Sequence, residues 1–392
     1  MSWKETNPML ERVQFVAMAS LKQRSMAGLC REFGISRKTG YKWLHRFETD
    51  GPHGVYEQSR APLENYQETP EGIQEVLTSA RKKHPTWGPR KLKAWLEDRN
   101  PGLGLPAAST IGEILKREGL VRARRRRQLP PGVTTRPIQV DRPNQEWDAD
   151  FKGQFLLRNG EYCYPLTITD AHSRFLLEIR ALGGTGTEGA RRGFERAFRE
   201  YGLPDSIRTD NGSPFASIGV GRLSSLSVWW IKLGIHPFTI RPGKPQENGR
   251  HERMHRTLKA ETTRPPSTTA RRQQDRFDAF REEFNHERPH EALGQKPPGR
   301  LYEASRRSYP ATLAEPEYPS HFETRRVGPG GTFGWKWQMI WISKSLVGET
   351  IGLVEFAEGL WRVYFGSREL GILDEEDCRK RKTGRVLPMM PV

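Results

Sequence analysis

Three carboxylates and two histidines carry the side chains of this sequence best suited to chemistry. Asp150 lies in EWDADF, Asp210 in IRTDNGSPF, and Glu252 stands between His251 and His255 in the order H-E-x-x-H. On a helix that spacing sets both imidazoles one turn apart on one face, as zinc peptidases write their metal site. The same glutamate suits an all-carboxylate site equally well. A zinc site needs a third protein ligand, for which Glu282, Glu283, His286 and Glu287 are nominal candidates. Arg250, Arg253 and Arg256 surround the motif, however, and such a concentration of cations disfavours a further cation and favours phosphate. The zinc pattern is therefore read as a coincidence, with His251 and His255 facing DNA or packing beside the site. The carboxylates are 60 and 42 residues apart, so only tertiary structure can gather them, as an α/β fold does at strand ends. An oxygen-only site of this kind suits Mg²⁺ or Mn²⁺. Two such ions about 4 Å apart activate a water or 3′-hydroxyl and stabilise the leaving oxygen of a phosphodiester. Each carboxylate alone says little, since Asp-Asn-Gly at 210–212 also reads as a turn.

Alternating strands and helices must position these groups. In EWDADF, period-2 alternation puts Asp148 and Asp150 on one face and Trp147, Ala149 and Phe151 on the other. Tyr162, Tyr164, Leu166 and Ile168 alternate in a second strand, and RFLLEI (174–179) reads as a third. A helix follows over about 187–201, then the strand DSIRT ending at Asp210, a helix near 223–233 and a strand near 237–241. The Gly/Pro-rich RPGKPQENG leads into the helix of Glu252, and a last helix over roughly 270–286 uses Phe277, Phe280 and Phe284. Three strands followed by alternating helices and strands define an α/β layer domain.

Upstream, helical periodicity over 9–21 (Val13, Val16, Ala17), a short helix over 25–33, a break at Gly34 and a helix capped by Ser36 form a helix-turn-helix pattern. Its third helix presents Arg37, Lys38, Thr39, Tyr41 and Lys42 where a recognition helix meets base edges. A second helical unit, 70–121, carries the apolar stripe Ile111, Ile114 and Leu115 with Ser109 or Thr110 as cap. The run RARRRR that follows, with Arg124, Arg125, Arg126 and Arg127, reads as a phosphate-contacting arm in a Pro-rich connector. Downstream, Phe333, Trp335, Trp337, Met339 and Trp341 alternate as one strand face expected in a core, and further short strands indicate a small β-barrel.

The net charge is +17, and residues 1–146 hold 26 basic against 16 acidic residues. A polyanionic partner fits this better than a small neutral substrate. Cys30, Cys163 and Cys378 are too few and too scattered for a disulfide framework or a cysteine-rich zinc site. The opening MSWKETNPML lacks a secretory pattern and no run of about 18 apolar residues occurs, so a soluble cytoplasmic protein is expected, with no membrane partner.

WDADF, IRTDNGSPF, PGKPQENGRHERMHRTLKAE and FNHERPHEALGQKPP occur in this order, and together they resemble the catalytic core of DDE transposases of the retroviral-integrase type, best over 143–300. The flanks are similar, less specifically, to those of bacterial insertion-sequence transposases. The resemblance implies a ribonuclease H-like mixed-sheet core in which Asp150, Asp210 and Glu252 bind two Mg²⁺ (or Mn²⁺). It implies a nucleoid-associated enzyme that cuts transposon ends and joins their 3′-hydroxyls to target DNA, as a homo-oligomer able to synapse two ends. Arg256 and Lys259, on the helical face of Glu252, and Lys244 in the preceding loop are then DNA contacts. The Asp210-to-Glu252 interval is longer than the integrase pattern, with extra residues assigned to ASIGVGRLSSLS. The W-x-x-D pattern favours Asp150 over Asp148 as the ligand. The expected organisation is a helix-turn-helix domain (1–60), a second DNA-binding module (61–121), a basic linker (122–142), the core (143–300), a linker (301–330), a small β-barrel (331–380) and a basic tail (381–392). A DNA-binding regulator with a dead core is the remaining alternative, and the presence of all three carboxylates argues against it.

Overall fold

The computed structural model describes residues 7–58, 69–121, 140–217, 220–240, 249–381 and 386–388. The chain divides into two compact units, Met1–Thr69 and Pro70–Val392.

In the first unit, α1 (Pro8–Ser20), α2 (Met26–Glu32) and α3 (Arg37–Asp50) each start at a side-chain cap, from Asn7, Ser25 and Ser36 respectively. Each cap satisfies an amide that the first helical turn leaves without a partner. The core is Phe15, Val16, Leu29, Cys30, Trp43 and Val55. Of the expected stripe on α1, Val16 packs while Val13, 43% exposed, and Ala17 face solvent; the inward face runs instead through Phe15, Val16 and Ala19. Gly40 lets α3 approach its neighbours closely: a Cβ there would lie 2.6 Å from Cys30 Sγ and 2.9 Å from Phe15 Cζ. Arg37, Lys38, Tyr41 and Lys42 all face solvent. Thr39 is half-buried and shares its hydroxyl with the Ser36 cap.

The second unit begins with α4 (Glu71–Lys83), α5 (Pro89–Arg99) and α6 (Ala108–Arg117) around Leu77, Trp87, Leu92, Ile111 and Leu115. Helix α6 starts before the expected cap, so Ser109 and Thr110 lie inside its first turn and no side chain caps it. This bundle is docked on the following layer by buried His84, which bonds Glu283 at 3.2 Å, and by an Arg300–Asp98 ion pair.

The central layer is a six-stranded mixed sheet ordered β2-β3-β1-β5-β6, with β4 also on β3. Its strands are β1 (Glu146–Phe151), β2 (Phe155–Leu156), β3 (Tyr162–Asp170), β4 (Leu176–Leu182), β5 (Ser206–Thr209) and β6 (His236–Thr239). β1 pairs antiparallel with β3, Asp150 opposite Thr167, and parallel with β5, Asp148 opposite Arg208. Helices α7 (Thr187–Tyr201) and α8 (Ser225–Lys232) cover the face of Trp147, Ala149 and Ile207. Helices α9 (Gly249–Thr262) and α10 (Ala270–His286) supply Met254, Leu258, Phe277, Phe280 and Phe284 to the other face. β4 starts two residues later than its sequence suggests, because Arg174 adopts a left-handed φ of 66° in the turn before it.

Glu178, on β4, is fully buried, and Arg196 approaches its carboxylate at 3.5 Å. Burial pushes its pKa up to about 7, against the pull of Arg196. A carboxyl raised in the folded state favours folding below its unfolded pKa of about 4.5, and that contribution is lost as pH rises through about 7. Over this window stability should fall by roughly 3 kcal/mol, since each pKa unit is worth about 1.4 kcal/mol. Glu178→Gln should flatten the dependence in denaturant titrations at pH 5 and pH 8; an unchanged slope would exclude Glu178 as its source.

At the C-terminal end, β7 (Glu323–Arg326), β8 (Thr332–Trp335), β9 (Gln338–Trp341), β10 (Thr350–Ala357), β11 (Leu360–Phe365), β12 (Arg368–Asp374), α11 (Glu375–Arg381) and β13 (Leu387–Pro388) follow. The expected small barrel is instead an open antiparallel sheet ordered β13-β12-β11-β10-β7, beside a β8-β9 hairpin; no closed barrel occurs among the described residues. It packs on α8 through Val228 and Ile231. The expected single aromatic strand also breaks. Lys336 and Trp337 take positive φ and turn the chain, so Phe333 and Trp335 are buried while Trp337, Met339 and Trp341 are exposed, Trp337 completely.

Candidate active site

β1 lies between β3 and β5, so its backbone is held on both sides, and its alternation sends Glu146, Asp148 and Asp150 to the face covered by α9. The two aspartates have different surroundings. Asp148 is buried and accepts from Arg208 Nε at 2.8 Å, with the same guanidinium 3.3 Å from Glu146. Burial raises the Glu146 pKa, and Arg208 opposes that rise. Asp148 is thus one partner of a buried ion triad, whereas Asp150 is only half-buried.

Helix α9 decides what meets Asp150. Its inward stripe is His251, Met254, His255, Leu258 and Thr262, following the helical period. Glu252, Arg256 and Lys259 share the exposed face. The imidazoles of His251 and His255 lie edge to face at 4.6 Å between centroids, and both Nε2 atoms reach the Thr167 hydroxyl, at 2.6 and 2.7 Å. Thr167 also donates to the Asp150 carbonyl at 3.0 Å. A hydroxyl has one proton, so both Nε2 atoms must be the donors to Thr167. Each Nδ1 then carries a lone pair. That of His251 faces Thr169 Oγ1 at 3.3 Å; that of His255 faces Asp150 Oδ2 at 3.9 Å. Burial lowers the pKa of His251 to about 4 and that of His255 to about 2, so both rings are neutral at pH 7. Lys152 senses both Asp150 and Lys259, and burial lowers its pKa.

Asp210 follows β5 and is half-buried; its Oδ1 accepts from the Gly212 amide at 3.1 Å, so Asp-Asn-Gly does form a turn. Asn211 ties this loop to the Ile240 carbonyl at 2.7 Å. The structure brings Asp150 together with His251 and His255, with one ligand atom from each within 4.8 Å of the others. Neither Asp210 nor Glu252 joins a group of this kind among the described residues. One carboxylate and two imidazoles are a poor fit to the oxygen-only shell that Mg²⁺ prefers. Lys244 and Arg124 to Arg127 lie outside the described residues. Sequence reasoning missed the Asp150–histidine grouping, although Met254 and Leu258, four residues apart, mark the inward face that carries both histidines.

A helix-turn-helix domain model matches residues 11–62 and a homeodomain-like domain model residues 39–115. Integrase core domain models match residues 140–245 and 233–298. The chain therefore carries an integrase core domain together with helix-turn-helix domains. Within that class it resembles proteins of bacterial insertion elements. One is the uncharacterized 39.2 kDa protein of insertion element IS476 from Xanthomonas euvesicatoria, 27% identical over 63% of this chain and 69% of the relative. Another is the uncharacterized 31.7 kDa protein of insertion element IS407 from Burkholderia multivorans, 30% identical over 48% of this chain and 66% of the relative, just under two thirds of its length. A Gag-Pol polyprotein of baboon endogenous virus is 31% identical over 45% of this chain, which spans only 10% of that polyprotein. No described helix is long and apolar enough to cross a membrane.

Proposed function

We propose that this protein is a DNA transposase that cuts the ends of its element and joins their 3′-hydroxyls to target DNA. The observation that carries the reading is the ordered run of WDADF, IRTDNGSPF, PGKPQENGRHERMHRTLKAE and FNHERPHEALGQKPP, which falls within the two integrase-core matches. Asp150, Asp210 and Glu252 are the residues assigned to the chemistry, with Mg²⁺ or Mn²⁺ as the ion they would hold. In the conformation described, neither Asp210 nor Glu252 joins the Asp150–histidine group among the described residues. Arg37, Lys38, Thr39, Tyr41 and Lys42 are assigned to the terminal repeats, and Arg124 to Arg127, Lys244, Arg256 and Lys259 to phosphate. The exposed, cationic face of α9 supports the last two, since Glu252, Arg256 and Lys259 present to solvent together. At least two copies would assemble on DNA to hold two ends, in the cytoplasm.

The test is a strand-joining assay on DNA from the flanks of the coding sequence with Mg²⁺ or Mn²⁺; failure with every flanking substrate and either ion would remove the reading. DNA binding should also weaken steeply with salt. With 6–10 phosphate contacts, affinity falls about 10³–10⁵-fold between 50 and 200 mM salt, because each contact releases condensed counterions. Fluorescence anisotropy of a labelled end measures this directly, and a flat response would remove the basic arm from the interface.

A further inference from the structure

The H-E-x-x-H motif has, in the folded chain, the third ligand that its sequence lacked. We propose that Asp150, His251 and His255 form a binding site for a divalent transition-metal ion of the Zn²⁺ or Co²⁺ class, in the conformation that turns Glu252 outward. Two imidazoles and one carboxylate, leaving further positions open, are a donor set that such ions take. The donor atoms lie within 4.8 Å of one another, and His255 Nδ1 is 3.9 Å from Asp150 Oδ2. Two ligands of a tetrahedral ion with bonds of about 2.0–2.1 Å are roughly 3.4 Å apart, so side-chain adjustments of about 1 Å close the site. The hydrogen bonds around the rings suit the task. Thr167 takes the Nε2–H of His255 at 2.7 Å, which fixes the tautomer that aims the Nδ1 lone pair at Asp150. His251 exchanges one of its two threonine contacts for the ion.

The arginines that weighed against zinc in the sequence do not face this point. Arg253 and Arg256 are on the exposed side of α9, and Arg250 turns to the Ala171 carbonyl and the field of Asp148. Lys152 is the nearby charge that opposes an ion, and it sets the affinity lower than three ligands alone would give. Two threonine-bonded histidines also suit an ordinary buried core, and the metal titration separates the two roles. In the proposed transposase, an ion held here occupies Asp150 and so competes with the ion that the assigned carboxylates would hold, which makes it an inhibitor. That consequence rests on the functional reading above; the binding site does not.

The experiment is a Co²⁺ titration of the full-length, chelator-stripped protein, followed by the visible absorption of the bound ion and by Zn²⁺ competition. One ion per chain is expected. His251→Gln and His255→Gln, which keep an amide partner for Thr167, should each weaken binding more than about 100-fold, and Thr167→Val about 10–100-fold, as the loss of an orienting hydrogen bond does. Glu252→Gln and Asp210→Asn should leave it within twofold. Circular dichroism of each variant checks that it folds. Absence of Co²⁺ binding by the wild type overturns the proposal, as does binding that survives both histidine variants but is lost with Glu252→Gln. Strand joining in Mg²⁺ should fall at the Zn²⁺ concentrations that displace Co²⁺. Absence of joining under any condition would count against the transposase and leave the Co²⁺ result standing.

Discussion

Glu252→Gln should lower strand joining by at least about 10³-fold while leaving the affinity for DNA ends within twofold. Loss of an electrostatic contribution of about 4 kcal/mol at the reacting phosphate corresponds to that factor, at about 1.4 kcal/mol per decade. The structure makes this variant clean. Glu252 is exposed, no hydrogen bond or ion pair holds it among the described residues, and glutamine keeps its size, so stability should move by less than about 0.5 kcal/mol. A loss of joining with an unchanged melting profile therefore reports chemistry rather than folding. Joining within tenfold of wild type would sink the carboxylate assignment. Joining that disappears with His251→Gln and His255→Gln, but tolerates Glu252→Gln, would transfer the chemistry to the histidines.

Arg208→Ala should cost roughly 3–5 kcal/mol of stability, because it leaves the buried carboxylates of Asp148 and Glu146 without their shared cation. Replacing all three, as Glu146→Leu, Asp148→Leu and Arg208→Met, should recover much of the loss, since apolar groups of similar volume often substitute for a buried ion cluster without penalty. Denaturant unfolding followed through the tryptophans of the central layer measures both variants. A single substitution costing less than 1 kcal/mol would mean that water reaches the triad and that Asp148 is not the buried partner described here.

Much of this architecture is legible in the sequence because it rests on local rules. The stripe of Phe194, Ala197 and Phe198 gives α7, the phenylalanines at 277, 280 and 284 give α10, and Asn7, Ser25 and Ser36 are strong helix caps. The alternation in EWDADF assigns Asp148 and Asp150 to one face. What alternation cannot give is the partner: Arg208, sixty residues away, is what separates a buried aspartate from a half-buried one. Helix α9 shows a second limit. Its hydrophobic signal is weak, so the inward side is settled by packing of Met254 and Leu258 on the sheet, and that rotation carries the histidines with it. The aromatic hairpin shows a third, since positive φ at Lys336 and Trp337 has no glycine to announce it. Sheet closure at the C-terminal end depends on edge strands meeting, which short-range patterning does not encode.

The central position of β1 also sets an order of events during synthesis. β3 follows β1 closely and can pair with it soon after both emerge, whereas the other edge of β1 stays open until β5 has been made. Until Arg208 arrives, Asp148 and Glu146 remain hydrated, and a nascent sheet that buried them early would carry two uncompensated charges. The stretch between β1 and β5 is taken up by β2, β3, β4 and α7, so the parallel pairing of β1 with β5 is a contact between distant parts of the chain, of the kind that slows folding more than it costs stability.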